Sequence, residues 1–400
     1  VDPALNARVY EHLRPHETMR VNDETPALDG AGEDATIELM QPAARHASLQ
    51  WFSFAYRAGT LAVTLACFCA CSSAQEDPAT HDARTDTPAA DIDSDTVVEP
   101  DVSNPVDVDV DDGPDTDVEV LPEPPPSIAF ATYNANRFFD TVCDSGRCND
   151  GDFEWQLSNA QFRHKAASVA GAVAALDADV IVLQEIENQA CIDALQDALD
   201  DPYPIAIIAE SPFPGSVEVA VLARGELMEI RTHRDTRIPR PRGGTTTFTR
   251  ELLEVHIDLD GTHIAVFAVH FRSKNDDDAD RRLAEATATR PIVLATAEEL
   301  PDAIVLLGGD FNDTPGSPPI DALEGDGGLF RMTSELGDNA WTITFRGDRF
   351  AIDHLYLATE AAGTYVEGSA EVFHDSSGGF FQSDHAAVRA RIALPSFDED

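Results

Sequence analysis

Acidic, amide and imidazole side chains gather where apolar runs end in the C-terminal part of this 400-residue chain. Ile128-Tyr133 runs into Asn134-Ala135-Asn136, Val180-Gln184 into Glu185, and His263-Ala268 into His270. Ile304-Gly308 runs into Asp310 and Asn312, Phe350-Ile352 into Asp353-His354, and Ser383-Asp384-His385 opens the last run. Carboxylates and amides are hard oxygen ligands for a divalent cation, and a carboxylate beside an imidazole is a proton-transfer pair. Apolar strands hold their terminal residues rigidly, so these groups converge on one site when the strand ends share a rim. Taken singly, each position reads equally well as a turn or a satisfied structural histidine. Jointly, so many separated polar strand ends have no structural reason to exist, which favours a catalytic centre.

The elements that must position these groups follow from the apolar texture. Strands are predicted at Ile128-Tyr133, Val180-Gln184, Ile205-Ala209, Val217-Ala223, Thr246-Leu259, His263-His270, Ile304-Gly308, Phe350-Ala358 and Ala386-Leu394. A helix is expected over Asn159-Leu176, where Phe162, Ala166, Val169, Val173 and Leu176 recur at helical spacing on one face. A second is expected over Asp276-Leu300, interrupted at Pro291 and restarting after it. Many strands with few helices over residues 127-396 favour an α/β (α+β) fold: a four-layer αββα sandwich, two mixed sheets face to face with helices outside.

At these residues the sequence resembles the endonuclease/exonuclease/phosphatase superfamily, the pancreatic-deoxyribonuclease-like group, and within it extracellular bacterial nucleases. TYNANRFFD, ADVIVLQEIEN, FTRELLEVHI, AVHFRSK, LLGGDFNDTPGSPP, FAIDHLYL and QSDHAAVRA occur in family order over nearly all of residues 127-394. The resemblance implies hydrolysis of a phosphoester with Mg2+ or Mn2+ as cofactor. Glu185 is then the principal metal carboxylate, supported by Asn136 and Asp384; many relatives carry an acid where Asn136 stands. Asn134, His270 and Asn312 are implied phosphate donors, and Arg250 a phosphate contact, with Leu252 in place of the usual proline. Asp353 and His385 are implied as an acid-imidazole pair that activates water, with Asp310 a rival base. His354 reads as structural.

Substrate class is where the composition speaks. The net charge is −46 for the whole chain and −26 over residues 127-400, with only two lysines, Lys165 and Lys274. A broad basic surface for nucleic acid is therefore excluded, and any polyanion must be met locally. Nuclease is the first reading, with nucleic acid as substrate, because Arg272 and Lys274 follow His270 directly in HFRSK. Arg224, Arg250, Arg272, Arg281 and Arg282 would then supply a narrow strip, and the run Arg231 to Arg242 is either a basic loop beside the cleft or an exposed hairpin. The alternatives are a phosphatase or phospholipid phosphodiesterase of the same fold, acting on sphingomyelin or inositol phosphates, and a catalytically dead surface binding module. No feature implies a protein partner.

The remaining segments read as delivery. Residues 1-71 are an N-terminal extension and signal peptide whose start is placed at Met40, with Arg45 and Arg57 ahead of the apolar stretch Ala58-Ala70. Cys71 is the candidate lipidation residue, as in a surface lipoprotein, with free secretion the other reading. Residues 72-126 hold seventeen acids and nine prolines and cannot build a core, so a disordered linker is expected there. The expectation is an exported protein, in which Cys143 and Cys148 of CDSGRC close a small disulfide rather than remain free thiols.

Overall fold

A computed structural model describes residues 126–275 and 277–395. The leader over 1–71, with Met40 and Cys71, and the acidic stretch 72–126 lie outside the described residues except for Pro126. Among the described residues no helix is long and apolar enough to cross a membrane.

The chain first lays down β1 (Ser127–Phe138), β2 (Val180–Ile186), β3 (Ile205–Ile208), β4 (Glu218–Ala223), β5 (Glu226–Thr232), β6 (Ile238–Pro239) and β7 (Thr245–Thr246). β8 (Leu253–Leu259), β9 (Thr262–His270), β10 (Ile304–Asp310), β11 (Leu329–Arg331), β12 (Ile343–Phe345) and β13 (Asp348–Phe350) follow. The last are β14 (Asp353–Ala358), β15 (Thr364–Tyr365), β16 (Glu371–Phe373) and β17 (Ala387–Ala393). Helices α1 (Asn159–Leu176), α2 (Gln189–Ala198), α3 (Ala279–Glu299) and α4 (Pro318–Glu324) are interleaved. One sheet has the order β15-β17-β1-β2-β4-β3, with β16 also on β17; the other has the order β11-β14-β10-β9-β8-β5. Both are mixed: β1 and β2 are parallel, as are β9 and β10, while β17 and β14 run antiparallel to their neighbours.

Alternation along the strands assigns the layers. Ala129, Ala131, Tyr133, Ile181 and Leu183 turn outward and pack with Val169, Val173 and Leu176 of α1 and Ile192 and Leu195 of α2. Phe267, Val305, Leu307 and Tyr356 turn outward on the other sheet, against Val293 and Ala297 of α3 and Ile320 and Leu323 of α4. The intervening residues face one another between the sheets. A Cβ on Gly308 would lie 2.8 Å from Phe130 Cζ and 3.1 Å from Val182 Cγ2, so the glycine sets how closely the sheets approach. This is the helix-sheet-sheet-helix sandwich that the strand count implies.

Four elements depart from expectation. Pro291 does not interrupt α3, which runs from Ala279 to Glu299. The bond it forfeits is to the carbonyl of exposed Thr287, while buried Ala286, Thr289, Val293 and Ala297 hold the other face. The strand expected over Thr246-Leu259 is broken, because Thr249 donates its backbone N–H to Glu285 of α3 at 2.8 Å instead of entering a sheet. The run Phe350-Ala358 likewise splits into β13 and β14. Edge strand β5 went unpredicted: its register shift between Leu227 and Glu229 erases the two-residue pattern.

Candidate active site

One row across the second sheet carries three of the polar residues. His270 of β9 pairs in register with Asp310 of β10, and Asp310 with Asp353 of β14. By the strand period all three face the space between the sheets, since Val269, Leu307 and Tyr356 face outward. Asn134 of β1 has the same phase, because Tyr133 and Ala135 face the helices. Asn134 Nδ2 donates to Asp310 Oδ2 at 3.1 Å and lies 3.4 Å from Glu185 Oε1, joining the two sheets at one point.

Glu185 reaches that point only because its strand is irregular. Leu183 and Ile186 both face the helices, so a regular strand would leave Glu185 on the wrong phase. The register shift between Gln184 and Ile186 and a φ of 63° at Glu185 turn it inward, a bulge that re-aims a side chain. β1 does the same at Asn136 and Arg137, with φ of 52° and 53°. Arg137 then donates its backbone N–H to Glu185 Oε2 at 2.8 Å, and Asn136 donates its own to Asn134 Oδ1 at 2.9 Å.

His385 arrives on the loop before β17. Ser383 Oγ donates to the Asn134 carbonyl at 2.7 Å and accepts the His385 N–H at 3.0 Å, which pins the loop to β1. His385 Nδ1 donates to Asp353 Oδ2 at 2.8 Å. Asp310, Asp353 and His385 present atoms within 4.8 Å of one another, all buried. Asp310 is the hub of the group. It accepts from Asn312 N at 2.8 Å, from Asn312 Nδ2 at 3.2 Å and from Asn134, and His270 Nε2 lies 3.5 Å away.

The electrostatics separate the two imidazoles. Burial, reinforced by the Arg250 and His385 charges, holds His270 well below its ordinary value, so it is neutral. Burial pulls His385 the same way, but the Asp353 carboxylate, with Asp310 and Asp384, overcomes it and keeps the imidazole charged. Burial and then the Asp353 charge push the Asp310 carboxyl well above the usual carboxylate range.

Around this centre the structure sorts the other residues. Arg250 donates Nε to the Val217 carbonyl at 3.0 Å and faces the Glu185 and Asp310 charges, while its buried Nη1 has no partner among the described residues. Glu185 and the exposed Asp384 both act on Lys165 of α1, whose ammonium is lowered by burial to about 8 against the pull of those carboxylates. No motif marks Lys165; the available signal was its place as one of two lysines, in an alanine-rich helix. Glu185 and Asp384, which both act on Lys165, are hard oxygen donors of the kind a divalent cation takes, and Asn136 stands at the bulged end of β1 whose next residue, Arg137, donates to Glu185. Arg272 gives its backbone N–H to Glu285 at 2.8 Å. Lys274 pairs with Asp313 at 3.0 Å, as does Arg282 at 2.8 Å. Arg224 belongs to the opposite rim, because β4 runs antiparallel to β2 and ends at its start; there it pairs with Asp201 at 2.9 Å. In the arginine run, Arg231 binds Glu229, Glu254 and Glu299, Arg234 binds Glu218, and Arg240 binds Asp278 and Asp280. His354 is structural: Nε2 donates to the Asp313 carbonyl at 3.0 Å. Cys143 and Cys148 are joined in a disulfide.

The chain also resembles known proteins. The sequence model of the Endonuclease/Exonuclease/phosphatase family matches residues 127–356. Similar solved structures include truncated TDP2 of Caenorhabditis elegans, 17% identical, covering 67% of this chain and 98% of that one with a TM-score of 0.47. An endonuclease/exonuclease/phosphatase family protein of Bacteroides thetaiotaomicron is 18% identical over 68% of this chain and 100% of its own, with a TM-score of 0.48. TDP2 of D. rerio, in complex with a single strand DNA product, is 17% identical over 66% of this chain and 98% of its own, with a TM-score of 0.44. No curated protein matches the sequence.

Proposed function

The chain belongs to the endonuclease/exonuclease/phosphatase family, and from that premise we propose that it is a divalent-metal-dependent phosphodiester hydrolase whose substrate is nucleic acid. The observation that carries this reading is the meeting of both sheets at Asp310, where Asn134 ties that carboxylate to Glu185 and where the charged His385 lies alongside.

A metal held by Glu185, Asn136 and Asp384 would supply positive charge to the phosphoryl oxygens. The chain's own residues do the rest. Asp310, with its raised affinity for a proton, is the base for the attacking water, since a base works best when poised near the working pH. Asp353 orients His385 and keeps it charged, so the imidazolium stabilises the negative charge that gathers on the phosphoryl group. Asn312 and Asn134 hold Asp310 in position, and the buried, unpartnered Nη1 of Arg250 is the donor left for a phosphate oxygen. Neutral His270 lies buried beside Asp310, its Nε2 3.5 Å away.

The pairing of Lys274, Arg231, Arg234 and Arg240 with acids favours a second reading, in which a small anionic headgroup replaces the polymer. Incubation of the protein with plasmid, single-stranded DNA, RNA, a phosphoinositide and sphingomyelin, with and without Mn2+, separates them. Metal-dependent loss of nucleic acid with intact lipids is expected. Lipid hydrolysis with intact nucleic acid would select the second reading, and inertness throughout would select a binding module. The Cys143–Cys148 disulfide supports export, since such bonds persist in oxidising compartments.

A further inference from the structure

Two groups of aromatic rings stand beside the centre, and neither the core nor the chemistry above uses them. The first is on the β12–β13 hairpin, where Phe345 is 58% and Phe350 36% exposed. The Arg346 guanidinium lies 5.1 Å from the Phe345 ring centre, and Arg349 lies 4.2 Å from that of Trp341. This hairpin is fastened to the catalytic residues themselves. Ile343 bridges to His385, and Thr342 Oγ1 accepts the Asp353 N–H at 3.2 Å.

The second group lies between β1 and α1, where Phe153 is 48% and Trp155 45% exposed. Both rings rest edge-on against buried Phe139, at 5.8 and 6.4 Å. Arg137 caps them at 4.9 and 5.0 Å, and its backbone N–H is the one that holds Glu185. The loop is tied to the exit of β2, where Asp140 N donates to Glu187 Oε2 at 2.7 Å. In the first sheet β17 and β2 flank β1, so the hairpin bridged to His385 just ahead of β17 and the loop tied to Glu187 just past β2 stand on either side of the Asn134 end of β1.

Three-residue strands bury little, and large rings held out on a two-stranded ribbon mark a contact surface. Its occupant follows from charge. A domain of net charge −26, whose cations are largely paired, does not hold a polymer by neutralising many phosphates. Flat rings backed by guanidinium groups hold unpaired bases instead, by stacking that tolerates any sequence and costs no basic surface.

We propose that the two aromatic walls stack the bases of a single-stranded nucleic acid on both sides of the phosphate held at Asp310 and His385, so the preferred substrate is unpaired and is cut internally. This rests on the hydrolase reading above. The test uses the full chain with a fluorescent oligothymidylate, the same strand paired in a duplex, and an abasic oligomer of equal length, with binding read by anisotropy without divalent metal. Oligothymidylate is expected to bind at least about 10-fold tighter than the other two, and Phe345→Ala or Trp155→Ala to weaken it by about 5- to 100-fold, with Phe345→Trp restoring it. Equal affinity for the abasic oligomer and oligothymidylate, or unchanged affinity in both alanine variants, overturns the walls. Cleavage of oligothymidylate with Mn2+ is followed in parallel. Its absence in the wild type refutes the hydrolase reading, whereas cleavage without base-dependent binding refutes only the walls.

Discussion

Replacing His385 with alanine lowers kcat for phosphodiester hydrolysis by about 100- to 10,000-fold while the chain stays folded. Among the described residues the imidazole is the positive group grouped with the buried carboxylates of Asp353 and Asp310. Without it the phosphoryl charge loses a donor, and Asp353, 1% exposed, loses the partner of its Oδ2. An uncompensated buried carboxylate takes up a proton rather than unfolding the sheet around it. Asp353→Asn is expected to cost a similar factor, and the double variant little more than either alone, because the two act as a unit. Single-turnover rates with thermal unfolding of each variant check this. Turnover equal to wild type in His385→Ala would refute the assignment.

Asp310→Asn carries the second large effect, again about 100- to 10,000-fold on kcat. The amide keeps the size and one of the two acceptor oxygens at the hub but cannot accept the proton from water. The pH dependence gives this its signature. Because burial and the Asp353 charge raise the Asp310 proton affinity, the acid form accumulates at a pH above the ordinary carboxylate value of about 4. The wild-type kcat/KM therefore falls as pH drops toward that raised value, and Asp310→Asn has no such limb in its residual rate. A variant that retains the acidic limb would return the base role to His385.

Much of this centre was legible in the sequence, and what was missed has a physical reason. Asp310, His270 and Asp353 were readable because each ends an apolar run, and a two-residue period then fixes the face it occupies. The motif marked Glu185, but its inward turn depends on a left-handed backbone residue that no pattern of apolar letters encodes. Asn134 and Asn312 were expected to donate to phosphate; in the structure both amides donate to Asp310, Asn312 from two residues away and Asn134 from a distant strand that composition does not bring near. The arginines were hardest to place. Arg224 falls on the opposite rim because strand direction, invisible in composition, decides the end at which a residue lies. The run from Arg231 reads as basic in sequence, but Glu218, Glu254, Glu299 and Asp280 come from elsewhere to meet it. Pro291 was read as a break because its exposure on α3 depends on which face the sheet covers.

The measurement that bears most directly on the joining of two sheets into one metal-dependent centre is the Mn2+ dependence of oligonucleotide cleavage in wild type and Glu185→Gln. The wild type should cleave only with added Mn2+ or Mg2+ and stop on chelation. Glu185→Gln should lose about 100-fold or more at limiting metal and recover part of it as Mn2+ is raised. Cleavage that survives chelation, or equal Mn2+ dependence in the two proteins, would contradict a metal held at Glu185.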